Sequence, residues 1–131
     1  RFTRPCTTRW VAEAAATWLS GERRMDEWRQ MATPGPLDPP SLKSMEENDE
    51  ADYPTVNAAG LALVETYGGD KFLDFYQNFK DLEPSPECRG TARRTERAFG
   101  SDQLLRRHFG IDIEMADEMA KEYIRAAVEG G

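Results

Sequence analysis

The sequence is poor in the residues that most often bind metals or polyanions. Among its 131 residues there are one histidine, His108, and two cysteines, Cys6 and Cys88. Its 17 basic side chains are outnumbered by 24 acidic ones, which gives a formal net charge of −7. A nucleic-acid backbone and an anionic lipid surface both select a basic face on a protein, so this charge argues against either partner.

The sequence also lacks a long apolar run. The uncharged stretch Ala58–Val64 near the middle is far shorter than the roughly 20 residues of a membrane-spanning helix, so no membrane insertion is expected. No signal peptide is recognisable, and the chain begins at Arg1 rather than at a methionine. An arginine start predicts processing, truncation or design of the polypeptide.

Both cysteines lie in stretches with the composition of loops. A disulfide between Cys6 and Cys88 and a pair of free thiols are both compatible with the sequence, because it does not give the distance between them. Neither cysteine belongs to a recognisable reactive motif. A cysteine–histidine nucleophile with His108 is therefore not favoured.

What the chain does contain is helical patterning and a large apolar content. Apolar residues make up 39% of the chain and charged residues 31%, as in a globular protein of one domain, residues 1–131. Apolar positions recur at helical spacing, and no strand alternation is present. Helical spacing is found over the segments 8–19, 22–31, 41–45, 54–66, 70–79, 91–99, 101–109 and 113–128, several of them short. Ser41 and Asp112 are predicted to cap two of these segments. The fold class is predicted to be all-α, an irregular bundle of six or seven helices.

The wheel of the first helix predicts which side is buried. Trp10, Ala14 and Trp18 fall on one side, whereas Glu13 and Thr17 fall on another. The acidic run 46–52 is expected to be exposed.

The segment 10–18 contains a recognisable pattern. Its aromatic Trp10 is followed by Glu13, the small Ala14, Ala16 and the aromatic Trp18. This order resembles the second active-site helix of gluzincin-type zinc metallopeptidases, the peptidase-MA-like family. The family usually has glycine where Ala14 stands, which is a departure that keeps the position small.

Later segments extend the resemblance. Tyr53 opens a helix that Gly68 closes, as in the helical subdomain of that family, and the ending with Phe109 and Gly110 before a last helix is also similar. The resemblance therefore implies two parts in the domain. Residues 1–32 would be the second active-site helix with a short helix, and residues 41–131 the C-terminal helical subdomain.

The resemblance implies roles for two residues. In the family, two histidines of an H-E-x-x-H helix and a glutamate from the next helix bind zinc, which lowers the pKa of its bound water to about 7. Glu13 matches that third ligand. Tyr53 matches the phenol that, in some members, donates a hydrogen bond to the oxyanion. Peptide or protein substrates and a secreted or cell-envelope location are family tendencies.

The chain departs from the family in having no H-E-x-x-H sequence. It is therefore predicted to be the C-terminal helical part of a zinc-dependent peptidase-like protein. It would supply the third zinc ligand and a wall of the substrate cleft, but would be inactive alone. Zinc is expected in the intact parent protein and not on this chain by itself.

Each of these residues also has a purely structural interpretation. Glu13 would be an exposed helical glutamate, Tyr53 would pack its ring over a first helical turn, and His108 would be a surface residue near a helix end. The alternative function is a non-catalytic helical protein-interaction or scaffold domain. Its candidate partner contacts are Met25, Trp28, Met31, Met115 and Met119.

Overall fold

The structure, a computed structural model, describes residues 9–32, 37–48, 50–82 and 94–130. Within these ranges the backbone forms seven helices and no strand, which confirms the predicted all-α class. The helices are α1 (Arg9–Leu19), α2 (Met25–Met31), α3 (Leu42–Asn48), α4 (Tyr53–Tyr67), α5 (Gly69–Leu82), α6 (Arg94–Phe109) and α7 (Ile113–Gly130). None of these helices combines the length and the apolar content that crossing a membrane requires.

Helix α4 lies at the centre of the bundle. Asp52 caps its N-terminus by accepting a hydrogen bond from the Thr55 amide, and Pro54 occupies its first turn. The nine consecutive residues 55–63 are all buried. A helix buried on every side is surrounded by its neighbours, and the most extensive of these contacts are with α1 and α7.

Helix α1 crosses α4 at a pair of small residues. A Cβ added to Gly60 would lie 2.9 Å from the Ala14 carbonyl oxygen and 3.2 Å from the Ala14 Cβ. Further along, a Cβ on Gly69 would lie 2.9 Å from the Trp18 ring. Because Ala14 faces Gly60 and Trp18 faces Gly69, α1 and the segment 60–69 run in the same direction past each other. The close approach at Gly60 is possible only because glycine has no side chain.

The core combines large aromatic rings with small residues. Trp10, Trp28, Phe72 and Phe75 have no exposed surface. Trp10 donates a hydrogen bond from Nε1 to a Glu46 carboxylate oxygen at 3.2 Å, which ties α1 to α3.

Several helix ends are at the predicted residues. Ser41 and Asp112 accept hydrogen bonds from the Ser44 and Met115 amides, at 3.0 and 2.7 Å. Gly68 has a φ of +100° between α4 and α5, a conformation that favours glycine.

The structure contradicts the sequence predictions for α6, Thr17 and Glu46. The helix break at Gly100 does not exist, because α6 runs continuously from Arg94 to Phe109. Thr17 is 3% exposed rather than on the solvent side, and its hydroxyl donates to the Ala14 carbonyl. Glu46 is 2% exposed although it begins the acidic run. Cys6 and Cys88 lie outside the described residues, and the predicted division at residues 32 and 41 stays a prediction.

Candidate functional site

Glu13 lies half-buried on α1, directly before the point where α1 crosses α4. Within the part of the chain that the structure describes, its carboxylate forms no hydrogen bond and no ion pair. Of the neighbouring side chains on α1, Trp10 donates to Glu46 on α3, and the Thr17 hydroxyl donates to the Ala14 carbonyl within α1 itself.

The side of α1 that includes Glu13 is only partly covered. Ala16 is exposed, Ala12 is half-buried, and Leu19 has 64% of its surface exposed. Ala16 follows Glu13 by three residues and lies next to it on the helix surface, whereas Ala12 and Leu19 lie further round the helix. The uncovered face of α1, defined by Arg9, Ala12, Glu13, Ala16 and Leu19, thus combines small and apolar side chains with the exposed Arg9 and the Glu13 carboxylate.

Tyr53 is the first residue of α4 and is half-buried. The Arg24 guanidinium lies over its ring, 5.3 Å from the ring centroid. Arg24 also forms ion pairs with Glu22 at 3.0 Å and Glu27 at 2.9 Å. Burial lowers the pKa of Arg24, but its bonds to the Glu27 and Glu22 carboxylates outweigh this and raise it overall. The ring of Tyr53 therefore has a packing role.

The positions of Glu13 and Tyr53 can be compared by way of Gly60, where α4 contacts α1. Tyr53 precedes Gly60 by about two helical turns, so both residues lie on the same side of that helix. Gly60 contacts Ala14, the neighbour of Glu13. No hydrogen bond joins Glu13 to Tyr53 among the described residues, and a shared cleft stays a prediction.

A network that the sequence did not predict links three elements. Arg23 Nη1 donates to the Tyr123 hydroxyl at 2.6 Å, and that hydroxyl donates to Glu65 Oε2 at 2.6 Å. The Tyr123 ring packs edge-on against Trp28. Burial and the Glu65 hydrogen bond raise the pKa of Tyr123, and Arg23 opposes them. No local pattern reveals this network, because Arg23 and Tyr123 are 100 residues apart in sequence.

His108 differs from the predicted surface residue. It is half-buried against the Phe75 ring, and its Nε2 atom is buried without a hydrogen-bond partner in the described ranges. Burial lowers the pKa of the imidazole, as do Arg107 and Lys71, while Asp74 raises it. The surroundings of the ring therefore favour the neutral imidazole over the charged form more than water does.

The pKa of Asp117 is also perturbed by its environment. It is half-buried on α7 and accepts a hydrogen bond from the Leu42 amide at 2.7 Å, at the start of α3. Burial raises its pKa to about 6, against the effect of the Leu42 bond. Its role is to join α7 to α3.

The described residues contain no group of three or more histidine, cysteine, aspartate or glutamate side chains arranged to hold a metal ion. Glu13 thus offers a single carboxylate, which fits one position of a tetrahedral zinc site. One contact proposed for the alternative function is wrong, since Trp28 is fully buried and donates from Nε1 to the Pro54 carbonyl.

Comparison of the chain with family models, with curated proteins and with solved structures finds no match to any of the three.

Proposed function

We propose that this chain is the C-terminal helical part of a zinc-dependent peptidase-like protein. In this proposal Glu13 is the carboxylate ligand of the zinc, and two histidines come from an H-E-x-x-H helix outside this sequence. The region around Tyr53 forms a wall of the substrate cleft. The chain alone lacks the remaining ligands and does not catalyse hydrolysis.

The observation that most supports the proposal is the environment of the Glu13 side chain. A glutamate on a helix usually extends into solvent or pairs with a nearby cation. Glu13 is instead half-buried, has no cation partner among the described residues, and is flanked by the small side chains of Ala12 and Ala16. Small side chains allow a second helix to approach closely. The uncovered face of α1 therefore suits a metal-binding helix that presents histidines to Glu13.

The position of Tyr53 is consistent with the same site. It shares a side of α4 with Gly60, and Gly60 contacts the residue next to Glu13. Tyr53 is therefore on the side of α4 that faces α1. When bound, zinc would polarise a substrate carbonyl, and a phenol nearby could donate a hydrogen bond to the developing oxyanion.

The first test is the coding sequence immediately upstream of Arg1, where an in-frame H-E-x-x-H within a few tens of residues is expected. The longer polypeptide is then expressed, and its zinc content and peptide hydrolysis are measured. Glu13→Gln should weaken zinc binding by about a hundredfold or more, since a lost ligand costs more than a lost outer partner of a ligand.

Matched variants separate ligand loss from general damage. Glu118→Gln changes an exposed glutamate whose only described ion pair is with Lys121, and it should leave zinc binding unchanged. Tyr53→Phe should retain zinc but lower hydrolysis about a hundredfold or more, as expected for an oxyanion donor. An unrelated sequence upstream, or zinc binding that does not respond to Glu13→Gln, would refute the proposal.

A second function, protein interaction without catalysis, is favoured by the exposed apolar residues. Leu19 is 64%, Met115 51% and Leu73 38% exposed. Leu73 also lines an open groove with Trp18 and Tyr67. Stable association with a protein or peptide in the presence of a chelator, lost on Leu73→Ser but not on Met115→Ser, would support this function for that groove.

A further inference from the structure

A groove lies beside Tyr53, between α2, residues 37–40 and the start of α4. The two residues that flank Tyr53 in sequence both line it. Its lining combines carboxylates with an apolar wall, formed by Glu27, Asp38, Asp52, Met31, Pro39 and Pro54. We refer to this feature as the α2–α4 groove.

The charged side chains that line the α2–α4 groove are all acidic. None of the described residues that line it is basic. Arg24 pairs with Glu27 at 2.9 Å, which offsets one of the three carboxylates. Asp52 accepts hydrogen bonds from the Thr55 amide and hydroxyl, which leaves its charge in place. Asp38 is exposed and forms no ion pair within the described ranges.

The apolar wall limits which cation fits. A small hydrated metal ion gains nothing from contact with Met31, Pro39 and Pro54. A lysine or arginine side chain has an aliphatic stem that packs on apolar surface and a cationic end that pairs with carboxylates. The groove therefore matches a basic side chain that enters along the proline wall and ends near Asp38 and Asp52.

We propose that the α2–α4 groove binds a basic side chain of a peptide, with Asp38 as its principal charge partner. The interpretation of that peptide as the substrate, held next to Tyr53, rests on the proposed function. The binding itself does not, because it requires neither zinc nor Glu13. The proposal thus specifies a substrate class: peptides with an arginine or lysine close to the cleaved bond.

Two short peptides that differ in one atom group provide the test. The first is acetyl-Gly-Ala-Arg-Ala-amide, and the second has citrulline, a neutral isostere, in place of arginine. Amide chemical shifts of the 131-residue chain are followed by NMR at low salt. The arginine peptide should shift the backbone amides of Asp38 and Asp52, and the citrulline peptide should bind at least about fivefold more weakly.

Asp38→Asn should reduce affinity for the arginine peptide by about fivefold and leave the citrulline peptide unaffected. Glu129→Gln removes the same charge from an exposed residue that does not line the groove, and should change the affinity less than twofold. Equal binding of the two peptides, or shifts confined to other surfaces, would overturn the groove proposal. Arginine-selective binding combined with a failed Glu13 test would remove the peptidase function and retain the groove as a site for basic peptides.

Discussion

At the scale of single residues, the free energy of unfolding depends on the protonation of the Asp117 carboxyl group. Its pKa is about 6 in the folded chain against 3.8 ordinarily, so between these values the folded state binds more protons than the unfolded state. Stability from this group is fully present below pH 3.8 and is lost as the pH rises towards 6. The full shift corresponds to at most about 3 kcal/mol, and solvent screening of a half-exposed carboxylate reduces this to about 1 kcal/mol.

Asp117→Asn retains an oxygen acceptor for the Leu42 amide and removes the charge. The variant should be about 1 kcal/mol more stable than the parent chain at pH 7, and the difference should vanish as the pH falls from 6 to 4. Urea unfolding at several pH values measures this. Asp117→Ala loses the acceptor and should be less stable than Asp117→Asn throughout. A difference between the parent and Asp117→Asn that does not depend on pH would contradict the role of the carboxylate charge.

The contribution of His108 to the pH dependence of stability should have the opposite sign to that of Asp117. Its pKa is lowered by burial, so the unfolded chain takes up a proton first as the pH falls through about 6.5, and stability decreases with acidification. His108 is the only histidine, so the imidazole signals of an NMR titration belong to it alone. The midpoint in the folded protein should lie below the midpoint in urea. Equal midpoints would show that the ring is solvated.

The burial of single residues also shows which features of the site could be predicted from the sequence. The wheel of α1 correctly separated Glu13 from the side of Trp10 and Ala14, because that separation depends only on helical geometry. It misplaced Thr17, whose hydroxyl is satisfied by the Ala14 carbonyl within the same helix and can therefore be buried. The burial of Glu46 was not predictable, because it depends on Trp10, 36 residues away.

At the scale of elements, the crossing of α1 and α4 depends on Gly60. An added methyl group would lie 2.9 Å from a backbone oxygen, which cannot move without displacing a helix. Gly60→Ala should therefore destabilise the fold by about 1–3 kcal/mol, although alanine is the better helix former.

Gly130→Ala is the matched control, since Gly130 is also helical and nothing lies within 4 Å of an added Cβ. It should leave stability unchanged or raise it slightly. Chemical denaturation of both variants is the measurement. If Gly60→Ala were as stable as Gly130→Ala, the two helices would not be in close contact at this point.

The positions at which helices begin and end were the most predictable feature of this fold. Caps such as Ser41 and Asp112, and stops such as Gly68, act through local hydrogen bonds and backbone conformation, which the sequence displays directly. The continuity of α6 through Gly100 was not predicted. A glycine inside a helix costs only about 1 kcal/mol relative to alanine, which contacts with other elements can outweigh.

At the scale of the whole molecule, Asn57 connects the segment between α1 and α2 to the central helix. It is fully buried, accepts from the Arg24 amide at 3.0 Å and donates to the Glu22 carbonyl at 3.0 Å. Asn57→Ala leaves two backbone groups without partners and should cost about 2–4 kcal/mol. Unfolding followed by circular dichroism and by tryptophan fluorescence should shift together, as one transition.

Asn48→Ala provides the comparison for Asn57. Asn48 is exposed at the end of α3, and its amide donates only within its own helix, to Ser44. Its replacement should change stability by less than about 0.5 kcal/mol. If the fluorescence and circular dichroism transitions of Asn57→Ala separated, α1 and α2 would form a unit that unfolds independently of α4.

The hydrogen bond between Asp117 and the Leu42 amide also has a consequence for the order of events during synthesis. Helix α3 has only seven residues, too few for an isolated helix to persist in water. The acceptor for its first amide lies 75 residues further along the chain. At ribosomal speeds that residue is added about 4–15 s later. Until then α3 has no cap from α7, so its final formation has to wait for translation of the last helix.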